Sequence, residues 1–174
     1  MTSAREPPAR EGLPAQADDA ADRPAERRAE RTRVAAYALV QDADGRVLLC
    51  HIAPSVGVGD IWTLPGGGVD FGEPPAEAVL RELTEETGLH GELGRLVDVS
   101  DRLFGSGDGT TRLHAIRIVY AVRITGGSLR DEVDGSTDTC RWVSAEEARD
   151  LPLGELAKRT FGSLATSGPA PSDA

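Results

Sequence analysis

Glu82, Glu85 and Glu86 stand at i, i+3 and i+4, with Glu73 and Arg81 just ahead of them. A helix turns once in about 3.6 residues, so the three later carboxylates share one face. Like charges that close repel, and a helix carries them to advantage only where something cationic binds. Carboxylate oxygens suit hard divalent ions such as Mg²⁺, which usually arrive with substrate phosphates. The chemistry such a face supports is metal-assisted attack of water on phosphorus.

Set out in full, the segment runs Gly67, five residues, Glu73, seven residues, Arg81-Glu82-Leu83, Thr84, Glu85-Glu86, Thr87, Gly88-Leu89. This resembles the Nudix box, G-x5-E-x7-R-E-U-x-E-E-x-G-U with U aliphatic, and every fixed position is filled. So many constrained offsets make the motif far more specific than a short glycine signature. A looser similarity of pattern runs from about Val34 to about Phe161. The resemblance implies an α/β fold, the Nudix-type α/β/α sandwich with a mixed β-sheet.

It also implies roles. Glu82 and Glu86 match metal ligands of the family, Glu85 ligates or orients metal-bound water, and the carbonyl of Gly66 is a further ligand. The cofactor is then Mg²⁺, with Mn²⁺ as a substitute. Glu73 and Arg81 match a scaffolding pair, an Arg fork suiting bidentate carboxylate contact. Family members take the general base from the box or from a later loop. In the segment Arg130-Asp131-Glu132-Val133-Asp134-Gly135, Glu132 is the first candidate and Asp134 the second, with Asp138 close by. The catalytic set read from the sequence is Glu82, Glu85 and Glu132.

The implied reaction is hydrolysis of a diphosphate link in a nucleoside diphosphate derivative. Two alternatives remain open, a non-catalytic nucleotide-sensing domain and an isoprenoid diphosphate isomerase. The isomerase would need a further Cys and Glu, for which Cys50 is available. Neither the proline of ADP-ribose hydrolases nor the tyrosine of dinucleoside polyphosphate hydrolases occurs in the region downstream of the box, which reads Phe104-Gly105-Ser106-Gly107. A nucleoside triphosphate is therefore the first substrate to expect.

The elements that must hold these residues are visible in outline. Val34 to Gln41 reads as a strand, Asp42 to Gly45 as a turn, and Arg46 to Ile52 as the returning strand. Ile61 to Leu64 leads into the glycines at 66 to 68. The box helix starts at Pro74 or Pro75 and ends at Thr87, with Gly88 beyond the last turn. Ala76, Val79, Leu80 and Leu83 form its apolar stripe. Strands follow at Leu93 to Ser100, Leu113 to Ile124 and Arg141 to Val143. Ser144-Ala145-Glu146-Glu147 has the form of a capping box, so a second helix is expected to start there.

The chain of 174 residues fits one domain, expected at residues 33–162. Residues 1–32 and 163–174 read as disordered polar tails, rich in Ala, Pro and charge. The net charge is −10. Seven Arg among the first 33 residues offset the acids there, so the negative charge sits on the folded part. Such a surface argues against nucleic acid polymers and anionic membranes as partners. It leaves a small-molecule nucleotide, with a homodimer as an option, since many members of the family dimerise.

Nothing near the N-terminus resembles an apolar signal core, so the expected compartment is the cytoplasm. Cys50 and Cys140 are accordingly read as free thiols. Trp62, Phe104 and Tyr120 read as packing residues rather than base-stacking ones. His51, His90 and His114 show no metal spacing. Arg46, Arg112 and Arg117 read as strand residues facing solvent.

Overall fold

A computed structural model describes residues 29–105, 111–133 and 135–166. Its strands are β1 (Ala29–Leu39), β2 (Val47–Ile52), β3 (Trp62–Thr63), β4 (Gly66–Gly68), β5 (Leu89–Gly105), β6 (Thr111–Gly127) and β7 (Thr137–Val143). The helices are α1 (Pro75–Thr87) and α2 (Glu155–Thr166). One sheet has the order β4-β1-β6-β5 and the other β3-β2-β7. Within the first, β1 runs parallel to β6 and antiparallel to β4, so the sheet is mixed.

Side-chain alternation along the strands decides which face meets which helix. Ala36, Ala38 and Val40, with Leu48 and Cys50, pack with Ala78, Val79 and Leu83 of α1. The intervening Leu39, Val47 and Leu49 pack instead with Leu156 and Ala157 of α2. The strands thus carry a core on each face, and the helices close the two cores from opposite sides. Val79 and Leu83 are fully buried, each worth about 1.5–3 kcal/mol of apolar burial.

The box helix has the expected ends. Pro75 occupies its first turn, and Gly88 terminates it in the left-handed conformation, its N–H donating to the Thr84 carbonyl at 2.9 Å. The stripe is shifted, however. Ala78 and Thr87 are buried along with Val79 and Leu83, whereas Ala76 and Leu80 are only partly covered.

Several expectations need correction. Residues 29–32, assigned to the tail, belong to β1, because β6 provides backbone partners from Thr111 onward for Ala29 and its successors. At the other end α2 continues through Thr166, past the expected limit at 162. The remaining tail assignments fall outside the described residues. The capping box at Ser144 does form, with Ser144 Oγ 2.7 Å from Glu147 and the Glu147 N–H 3.2 Å from Ser144 Oγ. It opens only a single 3-10 turn, Glu147–Arg149. Pro152 cannot continue a helix; its carbonyl accepts from the Trp62 N–H and ties the segment to β3, and the true helix begins at Glu155.

The two cysteines form a disulfide. Cys50 and Cys140 face each other directly across β2 and β7, a pairing hidden by their separation of 90 residues.

Candidate active site

The site is assembled where β4 passes under α1. Gly67 lies so close to the helix that a Cβ there would stand 2.7 Å from Glu82 Oε2, nearer than any side chain allows. Glycine lets the loop approach the carboxylate this closely without displacing it from Arg81. Neighbouring Gly66, with φ +140°, donates its N–H to Glu86 Oε2 at 2.8 Å.

Arg81 holds the assembly together. Its Nε and Nη2 bind the two oxygens of Glu73 at 2.8 and 2.9 Å, a bidentate fork. Nη2 also donates to the Gly68 carbonyl, and Nη1 donates to both Glu82 and Glu85 at 3.0 Å. One guanidinium thus binds three carboxylates and the loop. The fork, with a further N–H from Asp70, lowers the Glu73 pKa to about 2, and Glu73, then Glu82, raise that of Arg81.

Glu86 differs from its neighbours in being buried, 2 % exposed. Burial raises its pKa to about 8, opposed by the Gly66 N–H and reinforced by the charges of Glu82 and Glu132. Glu82 is raised in the same sense, again chiefly by burial. Two carboxyls that resist ionisation beside each other form a site that gains by taking up a cation.

The expected residues therefore come together: Glu82, Glu85 and Glu86 on one stretch of α1, Gly66 against Glu86, and Glu132 close enough to act on Glu86 electrostatically. Thr137 donates its N–H and its hydroxyl to Glu132 Oε2 at 3.1 and 3.0 Å. Asp134 lies outside the described residues. Among the described residues no three acidic, His or Cys side chains converge into a preformed metal cage, since Arg81 stands between Glu82 and Glu85. The donor set fits a hard divalent ion: oxygen ligands only, with a cradle at Gly67 that a Cβ would fill.

Other residues fall away. Trp62 is buried in the α2-side core with the Arg141 guanidinium 4.7 Å from its ring centroid, so it packs. His51 is held by Asp138 at 2.7 Å and Asp60 at 3.0 Å; the Asp138 bond, then Asp60, raises its pKa against burial. Asp138 is thereby committed to His51. Arg46 and Arg112 are exposed and paired with Asp42 and Glu30. Arg117 overturns its expectation, being 7 % exposed. The sequence reading also missed Ser136, whose hydroxyl is 3.4 Å from Glu86, and Tyr37, a partly buried residue that pairs across the strands with Gly66. An Arg amid Leu113, Ala115, Val119 and Ala121 on one strand face was the available signal for Arg117.

A family model for the NUDIX domain matches residues 31–164. The chain belongs to the Nudix family. Among curated proteins it is 32 % identical over 117 residues to the putative mutator protein MutT4 of Mycobacterium tuberculosis, covering 63 % of this chain and 46 % of the relative. It is 37 % identical over 100 residues to the ADP-ribose pyrophosphatase of Methanocaldococcus jannaschii, covering 58 % and 51 %. The match thus spans about half the length of these two Nudix relatives. The nucleoside triphosphatase NudI of an Enterobacter species matches over 75 % of this chain and 95 % of its own, at 30 % identity. Among solved structures, a MutT NUDIX hydrolase from Burkholderia pseudomallei superposes with a TM-score of 0.61 at 29 % identity, over 76 % of this chain and 98 % of that one. No helix among the described residues is long and apolar enough to cross a membrane.

Proposed function

We propose that this Nudix protein hydrolyses a diphosphate linkage in a nucleoside diphosphate derivative, with a nucleoside triphosphate as the first substrate to try. The observation that carries the reading is the Arg81 knot, which fixes Glu82 and Glu85 over the Gly66–Gly68 loop beside the buried Glu86. Glu82, Glu85, Glu86 and the Gly66 carbonyl would hold Mg²⁺ or Mn²⁺. When bound, such an ion supplies neutralisation of phosphate charge and acidification of a water.

The chain's own part is positional and protolytic. Glu132 is the proposed base: its Oε2 is taken by Thr137, which fixes the carboxylate and leaves Oε1 to accept a proton from the attacking water. The new oxygen joins phosphorus, the bridging P–O bond breaks, and the leaving group departs as a phosphate. Arg81 acts by position, keeping Glu82 and Glu85 from drifting apart.

The isomerase alternative loses its thiol, because Cys50 is fully buried and disulfide-bonded. The test is incubation with Mg²⁺ and nucleoside triphosphates, ADP-ribose, dinucleoside polyphosphates and nucleotide sugars, beside Glu86→Gln. Turnover of one class, lost in the variant, supports the hydrolase. Binding without turnover across the panel overturns it in favour of a nucleotide sensor.

A further inference from the structure

The start of β7, with Ser136 just ahead of it, touches the carboxylate site repeatedly. Ser136 Oγ lies 3.4 Å from Glu86 Oε1, and Thr137 donates twice to Glu132. The Cys140 N–H donates to Asp131 Oδ1 at 3.3 Å, and Cys140 Sγ stands 3.6 Å from the Glu86 carbonyl. Yet β7 is an edge strand, paired with β2 alone. Their ladder is regular from Val47 and Val143 to His51 and Thr139, then slips between His51 and Ile52, at the end that faces Glu132. Such a slip disrupts the ladder locally. The Cys50–Cys140 disulfide joins the two strands one rung before the last regular pair.

Both cysteines belong to the α1-side core, with Val79 and Leu83 of the box helix, and are 0 % and 5 % exposed. Breaking the bond leaves two thiols, each needing room that a densely packed core lacks. β2 lies between two strands and α1 is packed on the sheet, whereas β7 has a free edge, so β7 gives way. That movement carries Ser136 and Thr137 away from Glu86 and Glu132. The new Cys140 S–H can also donate to the Glu86 carbonyl, a bond the disulfide cannot make. The strands pair on both sides of the bond, so their meeting does not depend on it.

We propose that the Cys50–Cys140 bond is a redox-operated clamp that positions Glu132 and Glu86 through β7. A dithiol reductant opens it in two exchanges. Local opening of the edge strand presents Cys140 Sγ, and a reductant thiolate attacks it. Cys50 leaves as a thiolate and takes up a proton. The second reductant thiol displaces Cys140, which is protonated in turn, and closes as the reductant's own disulfide. Two electrons and two protons pass to the protein. Both cysteines are positioning residues, acting through Ser136 and Thr137. The effect on turnover rests on the hydrolase reading; the release of β7 does not.

The experiment compares the full chain oxidised and after reduction with dithiothreitol, reading hydrolysis of the nucleotide panel with Mg²⁺ and amide hydrogen exchange in both states. On reduction kcat should fall about ten- to hundredfold with KM little changed, and recover when oxidised glutathione re-forms the bond. Exchange at Thr137 and Cys140, whose N–H groups bind Glu132 and Asp131, should quicken by about tenfold or more, while Val79 and Leu83 stay as they were. Replacing both cysteines, Cys50→Ala with Cys140→Ala, should mimic the reduced protein and ignore the reductant. Should that variant fail to fold, Thr137→Val removes the hydroxyl that grips Glu132; it should lower kcat of the oxidised protein and shrink the further loss on reduction. Faster exchange throughout α1 on reduction overturns the proposal, since the bond is then a staple of the whole fold. Release of β7 with no turnover in either state keeps the clamp and removes the hydrolase. Turnover indifferent to reduction keeps the hydrolase and removes the clamp.

Discussion

On the α1 side of the fold, Glu73, Glu82 and Glu85 share the guanidinium of Arg81, whereas on the α2 side two donors of the Arg117 guanidinium have no hydrogen-bond partner among the described residues. Arg81 lies on a helix and Arg117 inside a sheet, and they differ also in what balances them. Around Arg81 negative charge is in excess and each carboxylate is already oriented, which prepares the region for a cation. Around Arg117 the charge is opposed at a distance by Glu155 while the Nε and Nη2 donors stay unsatisfied among the described residues.

The sharpest way to break the comparison is Glu86→Gln, which should lower Mg²⁺-supported turnover by about a hundredfold or more, as expected for a lost ligand. Next comes pH. The Glu86 carboxyl has a folded pKa of about 8 against an unfolded value of 4.5, so the native state holds a proton the unfolded chain releases. Its contribution to stability is present below 4.5 and lost as the pH rises to 8, a difference of roughly 3–5 kcal/mol at most. Thermal melts in EDTA should therefore show a loss between pH 5 and 8 that Glu86→Gln removes.

Arg81→Lys should cost about tenfold in turnover, because an ammonium cannot bridge Glu73, Glu82 and Glu85 together; steady-state kinetics at saturating Mg²⁺ read this directly. The smallest effects belong to the other side. Arg117→Met should leave the denaturation midpoint unchanged or raise it, since it removes a buried charge whose Nε and Nη2 lack hydrogen bonds among the described residues and whose ion pair with Glu155 is long. Ser100→Ala, which removes an enclosed hydroxyl equally without a partner among the described residues, should shift stability by no more than about 1 kcal/mol, upward. A large destabilisation by Arg117→Met would show that Arg117 supports the fold, and the contrast would collapse.

The first cluster was legible because a helix makes near neighbours in sequence near neighbours in space. Glu82, Glu85, Glu86 and both ends of α1 follow from local spacing, as does the Gly67 approach once the box is recognised. The second cluster depends on which strands pair. Ser100 meets Arg117, and Cys50 meets Cys140, only through register set by the whole sheet. The same applies at the edges: β1 extends back to Ala29 because β6 is there to receive it, although residues 29–32 have the polar composition of a tail. Burial of Glu86 was hidden for a related reason, since the box marks it as one of a set and does not distinguish which member lies deepest.

The pairing of β1 with β6 also constrains the order in which the chain can fold. Ala29 needs Thr111, and Val47 needs Val143, so β1 and β2 each find one of their two neighbouring strands only late. The β5–β6 hairpin, whose contacts are local, can close first. Until residues 111–143 have emerged, β4 and β3 can cover only one edge of β1 and β2, and the other edge of each stays open, the stretch of synthesis during which this protein is most exposed to aggregation.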